Sequence, residues 1–125
     1  MRGLLIRKPW IDLILSGRKT WEIRGSATRV RGPIALIESG SGTVVGVCEL
    51  TDCVGPLTLE EFRRALRRHR ATPGWFETKL PYRRTHAWVL TGARRLARPI
   101  PYRHPTGAVL WVRLAATVAR KFGGG

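Results

Sequence analysis

The sequence predicts a single domain of mixed α/β (α+β) class: a small, closed or nearly closed β-barrel of about six strands with two or three flanking helices. Short apolar or alternating segments recur along most of the chain, which is typical of strands. Two segments carry helix-start signals, and most connections between segments are short. A chain of 125 residues, 43% of them hydrophobic, is long enough for one domain with a buried core.

The first third of the chain predicts a strand, a helix and a second strand. Residues 3–7 are a short apolar segment, and residues 20–24 alternate as a strand does. Between them, Pro9 suits the first turn of a helix, because its missing N–H costs nothing there. Apolar residues then recur at helical spacing until Gly17, a residue typical of helix ends. Residues 25–31 follow as a polar, basic loop.

The middle of the chain predicts a hairpin and a second helix. Residues 34–38 and 43–52 are rich in apolar and β-branched side chains, and the Ser/Gly turn of residues 39–42 joins them. Thr58 and Glu61 have the spacing of a capping box, so we expect a helix to begin there. Its apolar stripe is expected to consist of Leu59, Phe62 and Leu66.

The last third predicts two more strands, at residues 86–90 and 107–114. The Pro-Ile-Pro segment of residues 99–101 is compatible with a sheet only at an edge, since proline has no N–H to donate. We therefore assign residues 1–114 to one domain. Residues 115–125 are a basic, Gly-ending tail whose order the sequence leaves open.

The least regular stretch, residues 71–82, contains two large aromatic side chains. Trp75 and Phe76 are expected to cover the core, with a stacking lid over a binding site as the alternative. The two cysteines, Cys48 and Cys53, lack the spacing of a zinc site, and we expect two buried thiols rather than a disulfide. Neither a metal nor a cofactor is therefore expected.

Charge is a second informative property of the sequence. Lys and Arg number 23 against 8 Asp and Glu, which gives a net charge of +15. Such a surface attracts polyanions, and arginine, the commoner cation here, matches phosphate through its planar fork. RNA is therefore the expected partner, with DNA as the alternative, and protein partners are undetermined. No apolar run is long enough for a membrane span or a signal peptide, so we expect no membrane contact and a cytoplasmic location.

The most informative segment is Gly-Arg-Lys-Thr-Trp-Glu-Ile-Arg at residues 17–24, where the first helix passes directly into a strand. Lys19 and Glu22 are three positions apart and would point to opposite faces if both were in the strand. They share a cleft only if Lys19 belongs to the junction. On that reading Glu22 and Arg24 line one face of the strand, while its apolar residues, Trp21 and Ile23, enter the core.

The protonation of Lys19 depends on which cation Glu22 contacts. A carboxylate beside the lysine would hold its amine charged, which suits phosphate or base-edge contact. If Glu22 pairs with Arg24 instead, Lys19 is freer to lose its proton and to act as a nucleophile or base. The sequence leaves both pairings open.

Five motifs in order resemble those of the ASCH domain family, which has a PUA-like barrel. Residues 17–24 meet the family's Gly-x-Lys-x-x-Glu-x-Arg pattern, and Lys8-Pro9-Trp10 stands where the family has Gln-Pro-Trp or Gln-Pro-Tyr. The likeness covers roughly residues 3–114 and implies a cleft beside the barrel that receives nucleic acid or a nucleoside. The other similar segments are residues 32–36, 46–53, and 86–90 with 99–102.

The resemblance alone does not choose between a binding protein and an enzyme. Some family members resemble RNA- or DNA-binding modules, one bacterial group hydrolyses N4-acetylcytidine, and another is ribonuclease-like. The amidohydrolases have a lysine, a threonine three positions later and a remote glutamate. Lys19 matches the lysine, but Glu22 occupies the threonine position and Thr20 has a different offset. This departure counts against amidohydrolase chemistry.

We therefore expect an RNA-binding protein whose basic cleft is lined by the charged motif. The rival hypothesis is a hydrolase acting on RNA or a modified nucleoside, with Lys19 and Glu22 as its catalytic pair. A third hypothesis is a protein-interaction module in a translation or stress complex. The residues expected to contact nucleic acid are Lys8, Pro9, Trp10, Lys19, Thr20, Glu22, Arg24, Arg29, Arg31, Ser39, Arg64, Arg67 and Arg68.

Overall fold

One curled sheet, a half-barrel, forms the body of the protein, which the computed structural model describes at residues 1–72 and 78–122. The α+β class and the curled sheet confirm the predicted architecture. The strands in the described ranges are β1 (Arg2–Ile6), β2 (Trp21–Arg24), β3 (Gly32–Glu38), β4 (Thr43–Val54), β5 (His86–Pro101) and β6 (Trp111–Arg113). The helices are α1 (Trp10–Leu15), α2 (Leu59–Arg64), α3 (Leu66–His69) and α4 (Ala116–Ala119), followed by a 3₁₀ turn at Arg120–Phe122.

The strands hydrogen-bond in the order β2-β5-β4-β3-β1-β6. β1 and β3 are parallel, and the other neighbouring pairs are antiparallel. Register shifts along β4, one of them between Val44 and Gly46, put extra residues into its ladder with β5. Such bulges increase the local twist, so they help to curl the two long strands.

β1 and β3 are covered on both faces, which explains why each is a nearly continuous apolar run. Leu4 packs in one cluster with Ile14 of α1. Its neighbour Leu5 points to the opposite face and packs in a second cluster with Phe122. Full burial of such a side chain contributes about 1.5–3 kcal/mol.

After Leu114 the described chain forms α4 and the 3₁₀ turn. α4 and the 3₁₀ turn bring Phe122 into the second cluster, where it is buried. This segment is therefore a helical cover on one face of the sheet. The last three residues, 123–125, lie outside the described residues. Trp75 and Phe76 also lie outside them, so their expected role as core cover stays a prediction.

The second helix begins as predicted. The Glu61 N–H donates to Thr58 Oγ1 (3.1 Å), and the Thr58 N–H donates to Glu61 Oε1 (2.8 Å). These two bonds complete the capping box and satisfy two backbone donors that a helix start would otherwise leave open.

The same segment then breaks at Ala65 into α2 and α3, which the sequence did not predict. Phe62 is buried as expected, but Leu66 is 40% exposed, so the apolar stripe ends early. The Phe62 carbonyl accepts hydrogen bonds from the Ala65 N–H and from the ring of the buried His69. Seating that ring draws the chain into a tight turn and rotates Leu66 outwards.

Two strands, β5 and β6, differ most in length from their predictions. β5 is longer than expected and continues to Pro101, which lies opposite Thr43 of β4, whereas only its first four residues also pair with β2. Its proline-containing half therefore lies at a free edge of the described sheet, where a missing N–H is tolerated. β6 is shorter than expected, since the chain turns at Gly107 (φ +81°) before the strand begins at Trp111.

Residues 1–72 and 78–122 contain neither a membrane-spanning helix nor a metal-binding cluster. No helix within them has the length and apolar character that a bilayer crossing requires. They also hold no group of three or more His, Cys, Asp or Glu side chains placed to bind a metal ion. Cys48 and Cys53 are both free thiols. Cys48 is buried as predicted, and burial raises its pKa to about 12, whereas Cys53, near the end of β4, is only half-buried.

Thr58→Ala is expected to lower the free energy of unfolding by about 1 kcal/mol, because the Glu61 N–H loses its acceptor. Urea denaturation followed by circular dichroism measures the change. Thr58→Ser keeps a capping oxygen and serves as the matched control, with stability close to that of the unmodified chain. Equal losses in the two variants would contradict the assigned cap.

Candidate functional site

The turn between α1 and β2 prepares the site. α1 ends at Leu15, and Gly17 follows with a φ of +81°, a left-handed conformation that glycine adopts without strain. The Lys19 N–H donates to the Leu13 carbonyl (3.0 Å), so the lysine lies in the junction before β2 begins at Trp21. The predicted position of Lys19 outside the strand is confirmed.

The Lys19 ammonium is buried, and each of its three hydrogens has an acceptor nearby. The side chain is only 4% exposed. Nζ donates to the carbonyl oxygens of Trp21 (2.7 Å) and His69 (2.5 Å). Glu22 Oε1, 3.7 Å from Nζ, completes the set. One side chain thus joins β2 to the end of α3, which is 50 residues away along the chain.

Burial lowers the pKa of Lys19 to about 8, although Glu22 acts in the opposite direction. The nearby charge of Arg24 adds to the lowering. The expectation that Glu22 holds the amine charged is therefore met only in part. The Lys19 amine is therefore mostly charged at neutral pH and loses its proton near pH 8.

Glu22 pairs with both neighbouring cations, one carboxylate oxygen to each. Oε2 accepts a hydrogen bond from Arg24 Nη2 (2.7 Å), while Oε1 faces Lys19. The two pairings that the sequence leaves open thus occur together. Arg24 Nη2 also donates to the Leu5 carbonyl (2.9 Å), and its guanidinium lies 5.7 Å from the centre of the Trp88 ring. We call these three side chains, Lys19, Glu22 and Arg24, the charged cluster.

A cleft of about 810 Å³ opens beside the charged cluster. Its volume lies within the range of ligand pockets, roughly 300–1,000 Å³. Trp10 of α1 contributes a wall, with its ring centre 5.5 Å from Lys19 Nζ. Besides the charged cluster, the lining includes Arg7, Trp10, Ile23, Ser39, Tyr82, Tyr102, His104 and Val109.

The structure places the predicted contact residues in three locations. Those that line the cleft are Trp10, Lys19, Glu22, Arg24 and Ser39. Arg29 and Arg31 line a second groove of about 590 Å³. The residues outside both are Lys8, Pro9, Thr20, Arg64, Arg67 and Arg68.

Several of these outer residues have structural partners of their own. Lys8 Nζ lies 3.7 Å from Glu38, and Arg64 pairs with Glu60 within α2 (2.7 Å). The Arg68 guanidinium lies 5.3 Å from the centre of the Trp21 ring. Their contact with nucleic acid stays a prediction.

Ile23 was expected to point into the core, but it does so only in part. It packs against the cluster that contains the buried Trp21, and it also lines the cleft. Because β2 is an edge strand, the cleft is able to reach both of its faces.

His69 is a part of the site that sequence reasoning missed. It is 2% exposed, and its ring stacks on Phe62 with centroids 3.9 Å apart. Nδ1 accepts from the Ala71 N–H (2.9 Å), so Nε2 carries the proton and donates to the Phe62 carbonyl (2.7 Å). Burial lowers the pKa of His69, and Lys19 lowers it further. The neutral ring fixes the carbonyl that receives Lys19, a long-range role that no local motif indicates.

Tyr102 and His104 form a second polar group in the cleft. His104 Nε2 donates to the Ala108 carbonyl (2.9 Å), because a carbonyl only accepts. Nδ1 is then the acceptor for the Tyr102 hydroxyl (2.7 Å). The Tyr102 oxygen keeps free lone pairs and can accept a hydrogen bond from a ligand. Tyr102 lies in a segment that the sequence analysis compared with the ASCH family, whereas no sequence signal indicated His104.

Comparison with known proteins gives a family and a fold. The model of the ASCH domain matches residues 4–100. The crystal structure of ASCH from Zymomonas mobilis superposes with a TM-score of 0.73 at 16% identity, over 96% of this chain and 91% of that one. A point mutant of the same Zymomonas mobilis protein gives a TM-score of 0.71 at 17% identity, over 96% of this chain and 94% of that one. The search of curated proteins found no match.

Glu22→Gln is expected to lower the free energy of unfolding by about 3 kcal/mol at pH 7, because it leaves two largely buried cations without their counter-charge. Urea denaturation gives the value. The loss should shrink as the pH rises above 8, since a neutral Lys19 needs no counter-charge.

Glu60→Gln is the matched control, with the same change of atoms and charge. The Glu60–Arg64 pair is largely exposed, so its loss is expected to cost at most about 0.5 kcal/mol. Similar costs for the two substitutions would show that the charged cluster does not stabilise the fold through its ion pairs.

Proposed function

The chain belongs to the ASCH domain family, and from that premise we propose that it binds RNA by taking a base and its phosphate into the cleft beside the charged cluster. The PUA-like fold of the family is often linked to RNA binding. The observation that carries the proposal is a buried, ion-paired cluster in the wall of a ligand-sized cleft. The net charge of +15 supports a polyanionic ligand.

The charge inside the cleft favours an anionic ligand. Among the described lining residues the cations are Arg7, Lys19 and Arg24, and the acidic residue is Glu22. Glu22 is already shared by two of these cations, which leaves Arg7 exposed and available to a phosphate. A guanidinium offers paired donors that fit phosphate oxygens.

The aromatic lining favours a single-stranded ligand whose bases are free to stack. Trp10 and Tyr102 are partly exposed, and Tyr82 is 45% exposed. The Tyr82 ring packs on Gly25, where an added Cβ would come within 2.9 Å of it, so the backbone supports the ring from behind. Stacking of one base on an aromatic side chain is worth roughly 1–3 kcal/mol.

The polar groups of the cleft are suited to reading a base edge. Glu22 and Arg24 are fixed against each other, and the Tyr102 oxygen is an acceptor oriented by His104. Groups held by packing lose little conformational freedom when a ligand binds. Recognition of single-stranded RNA commonly combines such hydrogen bonds with stacking.

A hydrolase is the second candidate, favoured by the lowered pKa of Lys19 beside a cleft. A neutral Lys19 amine could keep both carbonyl hydrogen bonds, to Trp21 and His69, and direct its lone pair towards the third position. Glu22 would receive or return a proton there. This second candidate uses Lys19 and Glu22 on RNA or on a modified nucleoside such as N4-acetylcytidine.

Single-stranded RNA is expected to bind at low salt, with an affinity that falls as salt rises. Arg7→Gln should weaken binding several-fold and reduce the slope of log K against log salt by about 0.7, the value for one lost phosphate contact. Fluorescence anisotropy with a labelled oligonucleotide measures both quantities, and a DNA strand of the same sequence tests the preference for RNA.

Arg98→Gln is the control for this measurement. Arg98 is exposed and lies outside both the cleft and the second groove, yet its substitution removes the same charge. Absence of RNA binding at low salt, or equal effects of the two substitutions, would reject the cleft as the binding site.

The hydrolase candidate predicts turnover that rises with pH through about 8, as Lys19 loses its proton. N4-acetylcytidine and single-stranded RNA are incubated with the protein across the range from neutral to alkaline pH, and products are separated by chromatography. An active ASCH amidohydrolase serves as the positive control. Intact substrates at every pH would exclude this candidate.

A further inference from the structure

The groove that holds Arg29 and Arg31 lies at the opposite end of β1 from the cleft. Arg2, at the start of β1, lines the groove, whereas Leu5 and Arg7, at its end, line the cleft. Arg2 and Arg7 are five positions apart along the chain, which corresponds to about 17 Å of extended strand. Trp111 of β6 forms an apolar part of the groove. We call this second site the arginine groove.

The arginines of the groove have no acidic partner among residues 1–72 and 78–122. No ion pair there involves Arg2, Arg29 or Arg31. Glu49, which lies opposite Pro33 in the strand register, is not paired with them either. Their positive charge is therefore available to a bound anion.

Two features make this charge more than a scattered basic surface. Arg31 Nη1 donates to the carbonyls of Thr28 (2.9 Å) and Val30 (2.8 Å), which holds the guanidinium in place and leaves its other donors free. Arg2 lies directly opposite Arg113 in the β1–β6 register. Like charges facing each other across strands repel, and an anion between them would relieve that repulsion.

A chain of contacts joins the arginine groove to the cleft. Arg24 of the charged cluster lies over the Trp88 ring, and Trp88 stacks on Trp111 with centroids 5.6 Å apart. Trp88 Nε1 also donates to the Ser26 carbonyl (2.9 Å), which anchors the start of the loop that carries Arg29. The two sites are thus held in a fixed relation by stacked aromatic rings.

We propose that an RNA strand seated in the cleft continues past the end of β2 into the arginine groove, where Arg2, Arg29 and Arg31 bind its phosphates. The inference rests on the proposed function, because the cleft supplies the first contact with the strand. Trp111 provides an apolar surface for a sugar or a base beside those phosphates. A mononucleotide fills the cleft alone, whereas a longer strand reaches both sites.

The experiment compares two ligands and two double variants. The ligands are uridine monophosphate and an oligouridylate of about ten nucleotides, a length within the usual range for single-strand binding sites. Arg2→Gln/Arg29→Gln alters the arginine groove, and neither side chain forms a hydrogen bond within the described part of the chain. Arg94→Gln/Arg98→Gln removes the same charge from exposed positions of β5 outside both sites.

The groove variant is expected to bind the oligouridylate about tenfold more weakly and to lower its log–log salt slope by about 1.4, for two lost phosphate contacts. Its affinity for uridine monophosphate should stay within about twofold, and the β5 variant should lose much less affinity for the oligouridylate. Equal losses of oligouridylate affinity in the two double variants would contradict phosphate binding in the arginine groove. An equal loss of affinity for uridine monophosphate in the groove variant would contradict it as well.

Arg7→Gln separates failure of this inference from failure of the proposed function. If Arg7→Gln weakens oligouridylate binding but the groove variant behaves like the β5 variant, RNA binds in the cleft but does not continue into the arginine groove. If Arg7→Gln has no effect, or no RNA binds at all, the proposed function fails, and the inference about the arginine groove fails as well.

Discussion

The hydrogen bonds of the Lys19 ammonium hold the candidate site together. They tie the start of β2 to the last carbonyl of α3, two segments that are far apart in the sequence. Removing a charged amine from water is costly, and the fold offsets this cost with two carbonyls and one carboxylate. The same carboxylate orients Arg24, which in turn reaches Leu5 of β1 and the Trp88 ring. The charged side of the cleft is thus one connected polar network.

Local patterns in the sequence predicted much of this arrangement. The apolar runs of β1 and β3, the Thr58 capping box and the junction at Gly17 depend on near neighbours in the chain, so pattern and structure agree. The placement of Lys19 before the strand was expected on the condition that Lys19 and Glu22 share a cleft, since residues three apart within a strand point to opposite faces. In these parts each residue's conformational preference coincides with its packing.

The missing parts of the prediction are those set by distant contacts. The helix break at Ala65 depends on the burial of His69 against Phe62, and the role of the His69 carbonyl depends on Lys19, 50 residues earlier. Likewise, a basic loop in the sequence gave no indication that Arg29 would lie near Arg2 instead of in the cleft. Such pairings follow from how the sheet curls, which single-sequence periodicity does not encode.

The second half of β5 has a consequence for how copies of the protein meet each other. An unpaired strand edge is a template for pairing with another chain, and this one is long. Pro99 and Pro101 cannot donate backbone hydrogen bonds, and exposed arginines, among them Arg94 and Arg98, add like charge along the strand. Two such edges repel each other and lack the donors for a continuous ladder. The prolines and the positive charge of this strand therefore protect the protein from edge-to-edge aggregation.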